Sequence, residues 1–446
     1  MSALTPLARV ASGPHDRRAG AGQPGGTPAP HRSQRFWLVA FVFLVTMAFS
    51  AVPAPLYVLY EARDGFGPLM VTVVFAAYAV GVVASLFLAG HLSDWIGRRR
   101  MAAAAVAVNV ASGLLFLFWP TVAGLLIGRV ISGISIGMLT ATATAYLSEL
   151  DAGGPGRPPR RRAEIAATAA NLGGLGLGPL VAGLLAQYAG DPLQVPYLVF
   201  EALMLAGLAG LALVPETVRR PERRPRYRPQ RVSVPAEQRP LFYAAGAAAG
   251  AAFALFGLFT SLAPGFIAGT LHDHSHALAG AATFAVFGAA ALAQIAVSRV
   301  PLRRQLAAGL AVLVAGLVLI TAAVWLASLA LLLAGGMLAG GGAGTAFKGS
   351  VTTVLGIAPP EARGEVLAGL FLAAYTGLAV PVVALGLATQ LLSPRYAVLG
   401  FAVLLAAIVA RSAAGWSARP GGPRGTGLTA RTAPATSVGL KSAKPD

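Results

Sequence analysis

The sequence predicts an all-α membrane protein of twelve transmembrane helices, arranged as two six-helix pseudo-symmetric halves, and three observations lead there. The 446 residues are 56% hydrophobic and only 11% charged, with a mean hydropathy of +0.70. A soluble core cannot hide that much apolar side chain, so the remainder must face lipid. Apolar runs near the ~20 residues that cross a hydrocarbon core as helix recur from Phe36 almost to Ala414. The bases occupy alternate gaps: all but four of the 34 Lys and Arg fall in or next to the two tails and in the loops after spans 2, 4, 6, 8 and 10. The four are Arg63 and Arg395 in loops of the other side, and Arg129 and Lys348 inside spans. Such asymmetry predicts both termini in the cytoplasm and an even number of spans.

This distribution also explains the net charge of +18, which sets topology and meets anionic lipid rather than nucleic acid. With no cysteine in the chain, a disulfide framework, thiol catalysis and cysteine metal sites drop out. No cofactor is expected.

Along the chain, residues 1–34 are rich in Gly, Pro and Arg and lack the apolar core of a cleavable signal, so they are expected as a disordered cytoplasmic tail. The first half, 35–214, holds spans expected at 36–60, 68–90, 101–119, 122–149, 164–188 and 196–214. Between Pro215 and Pro240, eight arginines and six prolines mark a basic cytoplasmic linker. The second half, 241–414, holds spans at 241–268, 277–298, 306–326, 328–356, 365–392 and 396–412, and 415–446 is a second disordered tail. Glu164, Pro179 and Gln187 recur in spacing as Glu365, Pro381 and Gln390, a weak internal duplication.

Between spans 2 and 3 stands Gly90-His91-Leu92-Ser93-Asp94-Trp95-Ile96-Gly97-Arg98-Arg99-Arg100, an acid, a glycine and three arginines in a turn at the membrane surface. It resembles the loop signature of the major facilitator superfamily (MFS), Gly-x-Leu-x-Asp-(Arg/Lys)-x-Gly-(Arg/Lys)-(Arg/Lys)-(Arg/Lys). Trp95, where the family carries a base, departs from it. The resemblance implies two six-helix halves with a substrate site at the midplane, and a latch made of Gly90, Asp94, Gly97, Arg98, Arg99 and Arg100. It also gives Asp94 the positive helix end of span 11 near Glu365 to meet, and Arg98 an acidic partner in Glu149 or Asp151.

Span 4 carries Arg129, Gly133 and Gly137 at four-residue intervals, similar to the family's helix-4 signature. A guanidinium there costs about 2.5–3.5 kcal/mol to insert and should face a wet cavity or a partner. The glycines share one helix stripe and permit close packing. In span 5, Gly174, Gly178, Pro179 and Gly183 resemble the antiporter signature Gly-x-x-x-Gly-Pro-x-x-Gly-Gly, which the family associates with exporters. Ala182 replaces one glycine of it, and Ile165 stands where the family has an upstream glycine.

Lys348 in span 10 and Glu201 in span 6 are further candidates for coupling or substrate binding; Glu201, at roughly the depth of Arg129, either pairs with it or lies at the headgroup level on a peripheral helix. Span 1 has no acid, so proton coupling would rest on Glu201, another acid near a helix end, or the substrate itself. Tyr57, Asn171, Phe256, Phe259, Thr260, Phe347 and Tyr375 are candidate cavity lining. His272-Asp273-His274-Ser275-His276 alternates imidazoles, but in a flexible outer loop the expectation is no metal site.

The expected function is secondary active transport of a small molecule by alternating access in a bacterial-style inner membrane, most simply as an efflux antiporter for drug-like or amphipathic compounds. Proton-linked nutrient uptake is the alternative within transport, and a non-transporting receptor or scaffold is the alternative outside it. One Arg, one Lys and one Glu scattered over three spans do not make an enzyme site. The expected partners are the substrate, the bilayer and a coupling proton, and the expected state is a monomer.

Overall fold

The computed structural model describes residues 29–89, 92–152, 161–218, 234–359 and 362–417. These are almost wholly helical, with no strand among them. Eleven helical segments are long and apolar enough to cross a membrane, and the shorter apolar Val195–Leu211 makes a twelfth crossing. Much of the expected tails and linker, and Gly90, lie outside the described residues.

The first crossing is α1 (Ala29–Ala51) followed by α2 (Pro53–Asp64). Then come α3 (Pro68–Ala89), the short α4 (Ser93–Ile96), α5 (Arg98–Phe118), α6 (Val122–Ala152), α7 (Arg161–Tyr188) and α8 (Val195–Leu211). The second half opens with α9 (Arg239–Ser261) and α10 (Ala263–Gly269), followed by α11 (His276–Ala296), α12 (Leu302–Leu326), α13 (Leu329–Ile357), α14 (Arg363–Leu391) and α15 (Pro394–Ser417). Helix therefore enters both stretches expected as tail, through the start of α1 and the end of α15.

The spans expected unbroken at 36–60 and 241–268 are each interrupted, before Pro53 and before Pro264. Proline has no N–H to continue the ladder and is at home in a helix's first turn, so each break falls at a proline. α7 and α14 each keep an interior proline, Pro179 and Pro381. The same devices thus recur in both halves.

Each half has its own core. Phe43, Phe49, Phe116 and Tyr197 anchor the first, and Phe259, Val286, Leu313 and Val382 the second. Phe75 and Ala79 of α3 pack into the second core, making α3 an interface helix.

Candidate functional site

A cavity of ≈ 430 Å³ lies between the halves, walled mainly by apolar and aromatic side chains. Its lining runs from Tyr57 at the first-crossing break to Thr144, Glu164, Gln294 and Thr352. These four sit near the ends of α6, α7, α11 and α13 on the face that carries both ends of the helical bundle. On the opposite face the halves close tightly. A Cβ at Gly183 would strike the His276 carbonyl, one at Gly280 the Pro179 carbonyl, and one at Gly386 the Thr72 side chain. The site is thus shut on one side and reaches the other.

Arg129 is 2% exposed, donates from Nη1 to the Ser50 carbonyl, and lines the cavity. The guanidinium carbon lies 4.5 Å from the Tyr78 ring centroid and 5.6 Å from that of Phe75, a cation–π arrangement that restrains the head. Its Nε has no hydrogen-bond partner. Tyr57 is likewise buried beside the cavity with its hydroxyl unpartnered.

Lys348 Nζ lies 2.8 Å from Glu164 Oε1, 2.9 Å from the Gln294 carbonyl and 2.8 Å from Ser298 Oγ. Glu164 belongs to α7, whereas the other partners belong to the second half, so this ion pair joins the two. It stands at the end of the cavity that reaches the bundle's terminal face. Sequence reading gave Glu164 only a place in the internal duplication. An acid in a helix's first turn ordinarily answers the helix dipole, and no local pattern foretells a lysine 184 positions away.

The structure does not bring Glu201 to Arg129. Both Glu201 carboxylate oxygens are buried without a hydrogen-bond partner. They sit against Gly113 of α5, where a Cβ would fall on the carboxylate, with Phe49 beside it. The pairing left open by similar depth is therefore not made among the described residues, since depth alone does not say which neighbour a side chain meets. Asn171, Phe256, Thr260, Phe347 and Tyr375 line the cavity, but Phe259 does not. It is fully buried against Gly336 on another face of α9. Tyr78 and Tyr375 meet edge to face across the halves at 6.3 Å.

At the α3–α5 turn, Asp94 is 58% exposed and pairs with Arg98 at 2.6 Å. Arg98 also meets Glu149 at 3.1 Å and Ser93 Oγ at 2.6 Å, while Asp151 keeps a buried oxygen without a partner. The Arg98 backbone N–H donates to Glu216 Oε1 at 2.7 Å. Glu149 in turn accepts from the Thr217 hydroxyl. Arg99 reaches the carbonyls of Ala212 and Val214 just beyond α8, and Arg100 is exposed. Every one of these partners lies in the first half or in the first residues of the linker, Glu216 and Thr217. Among the described residues no hydrogen bond or ion pair ties Asp94 to the start of α14, where it was expected to meet a helix end.

A family model described as Major Facilitator Superfamily matches residues 37–320. The chain belongs to that superfamily. Among curated proteins, an uncharacterised MFS-type transporter of Methanocaldococcus jannaschii is 26% identical over 180 residues, 40% of this chain and 44% of that protein. Monosaccharide-sensing protein 2 of Arabidopsis thaliana is 28% identical over 96 residues, 22% of this chain and 13% of that protein. The chain thus spans less than half the length of these relatives. The human organic anion transporter MFSD10 (TETRAN) has a similar fold, with a TM-score of 0.63 at 18% identity, covering 86% of this chain and 100% of that one. A bacterial homologue of the human lysosomal transporter Spinster, solved inward-facing and occupied, gives a TM-score of 0.65 at 15% identity, covering 87% and 98%.

In this MFS chain the glycine motifs sit where helices nearly touch. A Cβ at Gly133 would strike the Tyr78 carbonyl, and one at Gly137 would strike Ser85, both on α3. A Cβ at Gly174 would crowd Leu44 and one at Gly178 would strike Ala48, both on α1. Pro179 and Gly183 meet α11 instead, so α7 is wedged between its own half and the other. In the 272–276 loop, Asp273 Oδ1 accepts from the Ser275 N–H, and the His276 backbone N–H donates to Gln187 Oε1. Sequence reading missed Glu216, whose signal lay in a capping role that only the folded turn reveals.

Proposed function

We propose that this MFS chain is a secondary transporter that moves a small amphipathic molecule by alternating access, and that it works as an exporter in the cell membrane. The observation that carries the reading is the cavity between the halves, closed on one face by close helix packing and reaching the other past the Lys348–Glu164 ion pair that joins the halves. With the termini assigned to the cytoplasm by the basic loops, that cavity receives substrate from inside the cell. The reading accords with the similar fold solved as inward-facing and occupied. Export over uptake rests on the Gly-Pro motif of α7, which lies where the halves pack.

In this scheme the α3–α5 turn, with Asp94, Gly97 and Arg98, biases the balance between inward-open and outward-open states. Arg129 and Lys348 face the transported molecule, and Glu201 takes the coupling proton. The protein acts as a monomer. Cells overproducing it should accumulate less of at least one amphipathic dye or antibiotic, and a protonophore should erase the difference. Uptake that rises with expression would instead favour the proton-linked symporter.

A further inference from the structure

Resting on the transport reading, the charge balance of the cavity narrows the substrate class. Three described lining residues carry full charges: Arg129, Glu164 and Lys348. Glu164 and Lys348 cancel, since they are held 2.8 Å apart at the cavity's end. Arg129 is left over. Among the described residues it forms no ion pair, and its partners are one backbone carbonyl and two aromatic faces, which orient the guanidinium without neutralising it. Glu201, the carboxylate nearest in depth, is held against Gly113 instead. The cavity therefore presents one uncompensated positive charge in an apolar, aromatic surround, where low polarizability strengthens its pull on an anion.

We propose that the cavity takes an amphipathic organic anion bearing one carboxylate, sulfonate or phosphate. Its acid group binds the Arg129 guanidinium, whose planar fork suits a two-oxygen partner. Its apolar body lies along Phe253, Phe256, Phe347 and Tyr375, whose rings already pack edge to face, tilted or stacked with one another or with Phe287. Lys348 is a second, conditional counter-charge, available only when Glu164 releases it. A substrate of net negative charge would thus compete with Glu164 for Lys348 and loosen the tie between the halves.

The test uses three probes of one shape on the purified full-length protein: naphthalene-2-sulfonate, 2-naphthylmethylammonium and 2-naphthylmethanol, with binding read by isothermal titration calorimetry. The sulfonate should bind at least about tenfold tighter than either of the others. Arg129→Gln should remove that preference, Arg129→Lys should keep its order at lower affinity, and Glu164→Gln should tighten the sulfonate several-fold by freeing Lys348. Equal or tighter binding of the ammonium or alcohol probe overturns the proposal. So does a sulfonate that fails to bind at millimolar concentration, or one that binds unchanged in Arg129→Gln while Arg129→Lys also matches the wild type. Counterflow of the ammonium probe in proteoliposomes would sink the anion assignment and leave transport standing. A sulfonate that binds as stated but never crosses would do the reverse.

Discussion

Lys348 on α13 and Glu164 on α7 form, at 2.8 Å, the one ion pair that joins the two halves among the described residues. The lysine side chain is 21% exposed and the glutamate 52%, so the pair is wet and weak in itself. Partly exposed pairs couple by about 0.2–1 kcal/mol. That suits a contact which, in the proposed transport scheme, opens in every cycle. A thermal-denaturation double-mutant cycle over Lys348→Met and Glu164→Gln should return a coupling in that range. Lys348→Met should alter substrate affinity or range more than the amount of protein made. A fall in protein amount alone would mark the lysine as structural.

Gly97 carries φ +106° and ψ 150°, and a Cβ there would strike the Glu216 carboxylate. That backbone region is essentially confined to glycine and costs other residues about 1–3 kcal/mol. Gly97→Ala should lower thermal stability by that order. Adding Glu216→Ala should fail to restore it, because the backbone strain remains and the Arg98 N–H loses its acceptor. Full recovery in the double variant would show that crowding alone was at issue.

For Asp94 the structure separates stability from function. Its carboxylate is largely exposed and answers Arg98 within one helical turn, so Asp94→Asn should leave melting within about 1 kcal/mol of wild type. Transport should nevertheless fall severely, since the proposed latch acts in the state where the turn meets the other half. A correctly inserted variant transporting near the wild-type level would remove Asp94 from the mechanism.

Span placement was legible because hydropathy and loop charge report on the bilayer directly, and each expected run has its helix. The breaks at Pro53 and Pro264 were less so, for Pro179 and Pro381 sit inside helices that continue. Arg129 stood out because a membrane-embedded guanidinium demands an explanation. Glu164 did not, since its meaning comes from a residue in the other half. The Arg129–Glu201 pairing could not be decided from depth, because the neighbours each side chain meets, Ser50, Tyr78 and Phe75 for Arg129 and Gly113 for Glu201, are set by the fold. Phe256 and Phe259 lie three residues apart on α9, yet of the two only Phe256 lines the cavity.

Glu201 has both oxygens buried and without a hydrogen-bond partner within the first half, which fits the proposed part of taking up and releasing the coupling proton. Glu201→Gln keeps the shape and removes the titration. It should flatten the dependence of transport on pH while leaving substrate binding measurable. An unchanged pH profile would assign coupling to another group. Gly113→Ala, which drives a methyl group onto that carboxylate, should destabilise the protein by about 1–3 kcal/mol through overpacking.

The central claim, export through the inter-half cavity past Arg129, is tested most directly by fluorescent-substrate flux in oriented membrane vesicles. Inside-out vesicles with an acidic lumen should accumulate the compound, a protonophore should release it, and Arg129→Ala should abolish the accumulation at normal protein levels. Accumulation by right-side-out vesicles under an inward proton gradient, or unimpaired pumping by Arg129→Ala, would contradict it.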